Sequence, residues 1–404
     1  MDDPTAAQPD DTPPPSHRVN TRPWLFAGLA IGIGMLIGLT LLEIAVRIAA
    51  PRSLAPSVTV PHPDYNHTLA PSIHVQLTAT PERFPIDLQV NTLGLAQARE
   101  VVMPKPADVF RVLVLGDSFI QGLGEGLTLP ALAEQALSGW RSADGRRIEF
   151  VNGGTQSYSA LLHTARWQHQ LADTAADLVL VFPDLTDVYD DNERYRDLAE
   201  YAGGRLRRVP PSPAMRVHAA TRQALAYDAV PLRSWKYLVA KLADWRALNL
   251  ATDDNERRIF AHALDDEGAP RPATRMAVAF AIERLEALVE QVTRDGVRVA
   301  LMSYPHEAQL QPLTRLGEPG APAQLNRLFE RAVAALASGL GLPYASYFEP
   351  LGLAVSDGES LYFAGDMHFN ERGLRHLAGL VSNTLRTRGS EFLGSPLVAA
   401  PPSH

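Results

Sequence analysis

The stretch Val112-Leu113-Val114-Leu115-Gly116-Asp117-Ser118-Phe119 constrains this chain more than any other. An apolar run rich in β-branched residues stops at Gly116, and a serine follows two residues later. The pattern predicts a strand buried on both faces that ends in a tight turn and delivers Ser118 to its tip. Far downstream, Gly365-Asp366-Met367-His368-Phe369-Asn370 puts an aspartate and a histidine on one short loop. A serine hydroxyl is a weak nucleophile at neutral pH. It needs a base within hydrogen-bond reach, and the base needs an orienting carboxylate. Ser118, His368 and Asp366 are the candidates for these roles. No Gly-x-Ser-x-Gly is present, which excludes the α/β-hydrolase elbow.

That strand opens a series. Val109–Leu115, Ile148–Asn152, Leu178–Phe182, Val297–Ser303 and Tyr344–Tyr347 are short apolar runs bounded by turn residues. Helical spacing marks Leu129–Leu137, Ala273–Asp295, Leu325–Ser338 (stopped by Gly339) and Glu371–Thr387. Strand–helix alternation predicts a doubly wound parallel sheet whose ligands sit at the carboxyl ends of the strands. Residues 190–272 break the alternation and are too long for a loop, so they are expected to be an insertion with its own helices. Its basic and aromatic groups, Arg194-Tyr195-Arg196, Arg205–Arg208, Trp235-Lys236-Tyr237 and Trp245, suit either a packing subdomain or a glycan-facing lid. His306, just past a strand end, either lines the pocket or is solvated. Gly122-Leu123-Gly124-Glu125-Gly126 lacks the lysine of a phosphate loop and reads as a flexible loop beside the serine.

The net charge of −8 argues against a nucleic-acid partner. With no cysteine there is no disulfide or thiolate metal site. Residues 1–23 hold six prolines and four aspartates and read as a disordered tail. Trp24 to Leu42 is then 19 residues without a charge. At about 1.5 Å per residue this crosses a hydrocarbon core of about 30 Å. Residues 24–48 are therefore expected to form a single transmembrane signal anchor. A cleaved signal peptide is the competing reading, though its apolar region should be shorter and no Ala-x-Ala site follows. Residues 49–108 read as a Pro-rich linker and lead-in, in which His62, His67 and His74 match no zinc spacing. The main domain is expected over 109–388, with a tail over 389–404.

Gly116-Asp117-Ser118-Phe119 near the start of this domain and Asp366-Met367-His368-Phe369-Asn370 near its end resemble the first and last blocks of the SGNH/GDSL hydrolases. Asn91-Thr92-Leu93-Gly94-Leu95 resembles a segment preceding the domain in the family's membrane-anchored bacterial branch. The resemblance covers roughly residues 88 to 388. It implies a flavodoxin-like three-layer α/β/α sandwich and a Ser118–His368–Asp366 triad, with no metal or organic cofactor. It implies an oxyanion hole from the N–H of Ser118 and of Ser157 or Gly154. Thr186 stands where the family has a donating asparagine, and Ser157 where it has a glycine. The implied activity is removal of acyl groups, O-acetyl above all, from a small molecule or glycan on the periplasmic or extracellular side of a bacterial cell membrane. Two alternatives are an O-acyltransferase on an envelope polysaccharide and a non-catalytic glycan-binding assembly protein.

Overall fold

The computed structural model describes residues 22–49, 58–77, 86–213, 215–216, 232–235, 237–238, 271–310, 327–364 and 366–401. Residues 1–21 of the expected N-terminal tail (1–23), Gly365 and most of the insertion, including Lys236, lie outside them, while Arg22 and Pro23 already belong to the helix described next. The chain divides into two compact units.

The first unit comprises residues up to Leu54 together with Leu225–Ala243. Its main element is a helix, Arg22–Ala49, that carries one span of 26 residues long and apolar enough to cross a membrane. Its two late charges are partnered. Arg47 donates to Glu43 at 2.7 Å, and Glu43 also accepts from the backbone N–H groups of Arg233 and Ser234 at 2.9 and 2.8 Å.

The second unit is built on a seven-stranded sheet. Its five parallel strands lie side by side as Tyr344–Ser346, Arg298–Ser303, Leu178–Val181, Val109–Leu115 and Arg147–Asn152. Two short antiparallel strands, Trp140–Arg141 and Val398–Ala399, extend the far edge. Read from that edge, the parallel strands run second, first, third, fourth, fifth in chain order, which is the flavodoxin-like arrangement. It reverses direction between the first strand and the third.

Side chains alternate between two cores, as a strand covered on both faces requires. Phe110, Val112 and Val114 enter one core with Leu132, Leu351, Leu377 and Leu385 from helices Leu129–Ala136, Phe348–Ser356 and Glu371–Thr387. Leu113 and Leu115 enter the other with Trp167, Leu288 and Val333 from helices Ala160–His169, Pro272–Arg294 and Leu328–Leu340. These are the three layers expected from the sequence. One boundary differs. The helix expected to stop at Gly339 continues to Leu340 and is closed by Gly341 in the left-handed region, φ 66°.

Two further segments do more than expected. The lead-in contains two hairpins, Thr59–His62 with Asn66–Leu69 and His74–Leu77 with Ile86–Gln89. Leu69, Leu88, Val90 and Ala96 bury a small core of their own. The Asn91 side chain accepts from the N–H of Leu93 and of Leu95, both at 3.0 Å, closing the turn that follows. The buried Arg166 then donates to Gly94 O at 2.9 Å and to Thr155 Oγ1 at 2.8 Å. Past residue 388, where a tail was expected, Phe392, Leu393 and Leu397 are buried in the main core.

Candidate active site

Ser118 begins a one-turn helix, Ser118–Gln121, directly after the first parallel strand. Asp117 caps it, accepting from Phe119 N–H at 2.9 Å. The reach from the serine to the C-terminal loop spans 250 residues of chain. Ser118 Oγ lies 2.8 Å from His368 Nε2, and His368 Nδ1 lies 2.5 Å from Asp366 Oδ1. The same carboxylate oxygen accepts from His368 N–H at 2.8 Å, so Asp366 fixes both ring and backbone. Partial burial works against the charge on Asp366. The hydrogen bond and charge of His368 outweigh it and hold the carboxyl below its ordinary range.

The loop is held from both sides. Phe363 N–H donates to His368 O at 3.0 Å, and Asn370 N–H to Leu361 O at 3.0 Å. Asn370 also caps the following helix, accepting from Gly373 N–H at 3.0 Å. Tyr362 Oη donates to Pro305 O at 2.8 Å, which ties the loop to the end of the fourth parallel strand.

The expected oxyanion donors divide. The N–H groups of Ser118 and Ser157 meet no acceptor among the described residues. Ser157 sits at φ 57°, the region in which a glycine is usual. It is pinned there, since its Oγ accepts from Arg194 at 2.8 Å and its carbonyl from Tyr195 Oη at 2.7 Å. The loop before it is stitched to the nucleophile strand through Gly153 N–H to Val114 O at 2.8 Å and Thr155 N–H to Gly116 O at 3.1 Å.

Gly154 and Thr186 do not present their donors. The Gly154 N–H is spent on Asn152 Oδ1 at 3.0 Å. What the residue contributes is its missing side chain, because a Cβ there would stand 2.4 Å from Gln121 N. The Thr186 hydroxyl donates to Asp184 Oδ1 at 2.7 Å, and its N–H to the same atom at 2.8 Å. A short hydroxyl next to a buried carboxylate satisfies itself locally.

Beneath the serine lies a cluster that no sequence motif marks as a unit. Asp117, Asp184, Tyr304 and His306 are all buried. His306 Nε2 lies 3.1 Å from Asp184 Oδ2, and Tyr304 Oη reaches Asp184 Oδ2 at 3.2 Å and Asp117 Oδ1 at 3.3 Å. His306 is therefore buried and not solvated. Its ring stacks on Phe119 at 4.8 Å, and the Phe119 ring also stacks on His368 at 4.9 Å. Burial opposes the charge on Asp184, yet His306 and Thr186 hold that carboxyl down at about 2. Burial, and then the Asp184 charge, push Asp117 well above the usual carboxylate range. Asp117 Oδ2 lies 3.2 Å from Ser118 Oγ, and its raised carboxyl disfavours a negative charge beside the nucleophile. The signal for this cluster was topological. Pro183-Asp184 and Tyr304-Pro305-His306 both follow the carboxyl ends of adjacent strands.

The three histidines of the lead-in serve separate ends. His62 stacks on Tyr65, His67 bonds Asn66 and Gln156 O in the interior, and His74 meets Asp87 at 2.5 Å. In the insertion, Arg205–Arg208 pairs with Glu200–Ala202 as a hairpin. Trp245 and most of the remaining insertion lie outside the described residues.

The sequence matches no family model and no curated protein. Similar solved structures include a lipase/acylhydrolase from Enterococcus faecalis, 12% identical, TM-score 0.38, covering 69% of this chain and 96% of that one. A catalytic mutant of an acetylxylan esterase from Geobacillus stearothermophilus is 12% identical, TM-score 0.38, covering 67% and 93%. A further acetyl xylan esterase is 11% identical, TM-score 0.39, covering 68% and 99%.

Proposed function

We propose that the chain is a membrane-anchored serine ester hydrolase of the SGNH type, with Ser118 as nucleophile. The observation that carries this reading is the unbroken series Ser118 Oγ–His368 Nε2, His368 Nδ1–Asp366 Oδ1, at 2.8 and 2.5 Å. His368 takes the hydroxyl proton as Ser118 Oγ bonds to the ester carbonyl carbon, and Asp366 stabilises the imidazolium. The tetrahedral oxyanion is met by the free N–H groups of Ser118 and Ser157. His368 returns the proton to the leaving alcohol oxygen as the C–O bond breaks. Water, deprotonated by the same ring, then releases the carboxylic acid and regenerates the serine. The helix Arg22–Ala49 anchors the chain, and the catalytic unit faces the periplasm or exterior.

The test is covalent. A serine-reactive phosphonate is expected to label the full chain once, at Ser118, and to leave Ser118→Ala unlabelled. Turnover of a small acetate ester should fall at least about 10³-fold in Ser118→Ala and in His368→Ala. Wild-type protein that is neither labelled nor active on any ester would leave a binding protein with this fold.

A further inference from the structure

A cleft of about 650 Å³ opens beside the His368 loop, within the ~300–1,000 Å³ range of small-ligand sites. Its walls come from the second lead-in hairpin, the glycine-rich loop after Ser118, and the residues on either side of the His368 loop. It adjoins the small crevice at Ser118 and His368, because Leu123 lines both.

The exposed wall is mainly apolar, formed by Ile86, Leu123, Leu127 and Phe363. Four of the polar side chains around it already have partners. Asp87 is held by His74 at 2.5 Å, and Glu371 accepts from Arg375 at 2.8 Å. Arg372 faces Glu359 at 3.4 Å, and Asn370 Nδ2 donates to Ser360 O and Tyr362 O at 2.9 and 3.0 Å. An aliphatic chain needs only the apolar wall.

The side of the ester follows from the chemistry. His368 hands its proton to the leaving oxygen, so the alcohol portion lies on the His368 side. The free N–H of Ser157 is on the other loop, and residues 152–158 and 184–187 contribute nothing to the cleft. Resting on the esterase reading, we infer that this cleft binds an aliphatic chain on the alcohol side of the ester, so that the substrate is an ester of a long-chain, lipid-like alcohol.

Two series of esters test it with the full chain in lipid nanodiscs: acetates of methanol, butanol, hexanol and octanol, and methyl esters of acetic to octanoic acid. Along the alcohol series kcat/KM is expected to rise roughly threefold to fourfold per buried methylene. Along the acyl series it should stay within about threefold. Ile86→Trp fills the cleft and should cut the octyl-to-methyl acetate ratio about tenfold. That ratio is read on one preparation, so partial misfolding does not alter it. A flat alcohol series, or a steeper acyl series, overturns the proposal. Because octyl acetate should also bind Ser118→Ala, calorimetric titration of that variant separates the two readings. Binding without any turnover by wild type would retain the cleft and reject the esterase. No binding of octyl acetate would reject the cleft whatever the turnover.

Discussion

At Ser118 the decisive matter is which neighbours compete for its proton. Asp117 is close enough to do so, and its burial and the Asp184 charge raise its carboxyl and disfavour the anion. Asp117→Asn preserves both the cap on Phe119 N–H and the absence of charge, so kcat should stay within about tenfold of wild type. Asp117→Leu, which removes the cap and leaves Tyr304 Oη with one acceptor fewer, should be poorly folded by circular dichroism. Thr186 gives a second residue-level expectation. Its hydroxyl is committed to Asp184, so Thr186→Ala should lower kcat by clearly less than the roughly 10²–10³ of a lost oxyanion donor. A loss near 10³, measured on a small acetate, would make Thr186 a principal donor. Gly154→Ala should destabilise by about 1–3 kcal/mol, read as a drop in Tm, since the added carbon meets backbone at Ile120 and Gln121.

Among the elements, the turn Asp190–Tyr195 carries buried acid. Asp191 accepts from Ser159 Oγ and from Leu161 N–H, and among the described residues its Oδ2 has no hydrogen-bond partner. Burial, only partly offset by those two bonds, pushes it up to about 7. A raised folded pKa means that the unfolded chain releases this proton first, from about pH 4 upward. The stability from the protonated form is thus complete below about pH 4 and is lost as pH rises through about 7. Asp191→Asn cannot lose a proton, so it should gain on wild type by about 1–4 kcal/mol between pH 5 and pH 8. Thermal melts at the two pH values check it, and an equal Tm difference at both would refute it. The same turn supplies Arg194 and Tyr195, which hold Ser157 in its left-handed conformation. Ser157→Gly should therefore keep activity within about threefold, because the N–H remains and the backbone relaxes.

For the molecule as a whole, the apolar helix sets the expected topology. A span of 26 residues exceeds the ~20 needed to cross a bilayer, and no Ala-x-Ala follows it. Mass spectrometry of the membrane fraction should find the N-terminal tail attached to the mature chain. A mature chain beginning near residue 50 would instead mean a cleaved signal sequence.

Much of this was legible in one dimension. The nucleophile strand, the strand–helix alternation and the apolar span are local patterns, and local patterns follow from side-chain periodicity and turn chemistry alone. Ser118 could be nominated because it follows such an element, and Asp366 and His368 because two residues of matching chemistry stand on one short loop. Three things were not legible. The lead-in hairpins are short, polar and proline-punctuated, and their burial comes from long-range partners such as Tyr158, whose hydroxyl donates to His67 O. Gly154 and Thr186 have the right chemistry for oxyanion donors, yet which atom takes a given N–H or O–H depends on distances of tenths of an ångström. The Asp117–Asp184–Tyr304–His306 cluster joins residues up to 189 positions apart that share no motif. Only the order of strands in the sheet makes them neighbours, and only their common burial with His306 drives the two carboxyls apart in acidity.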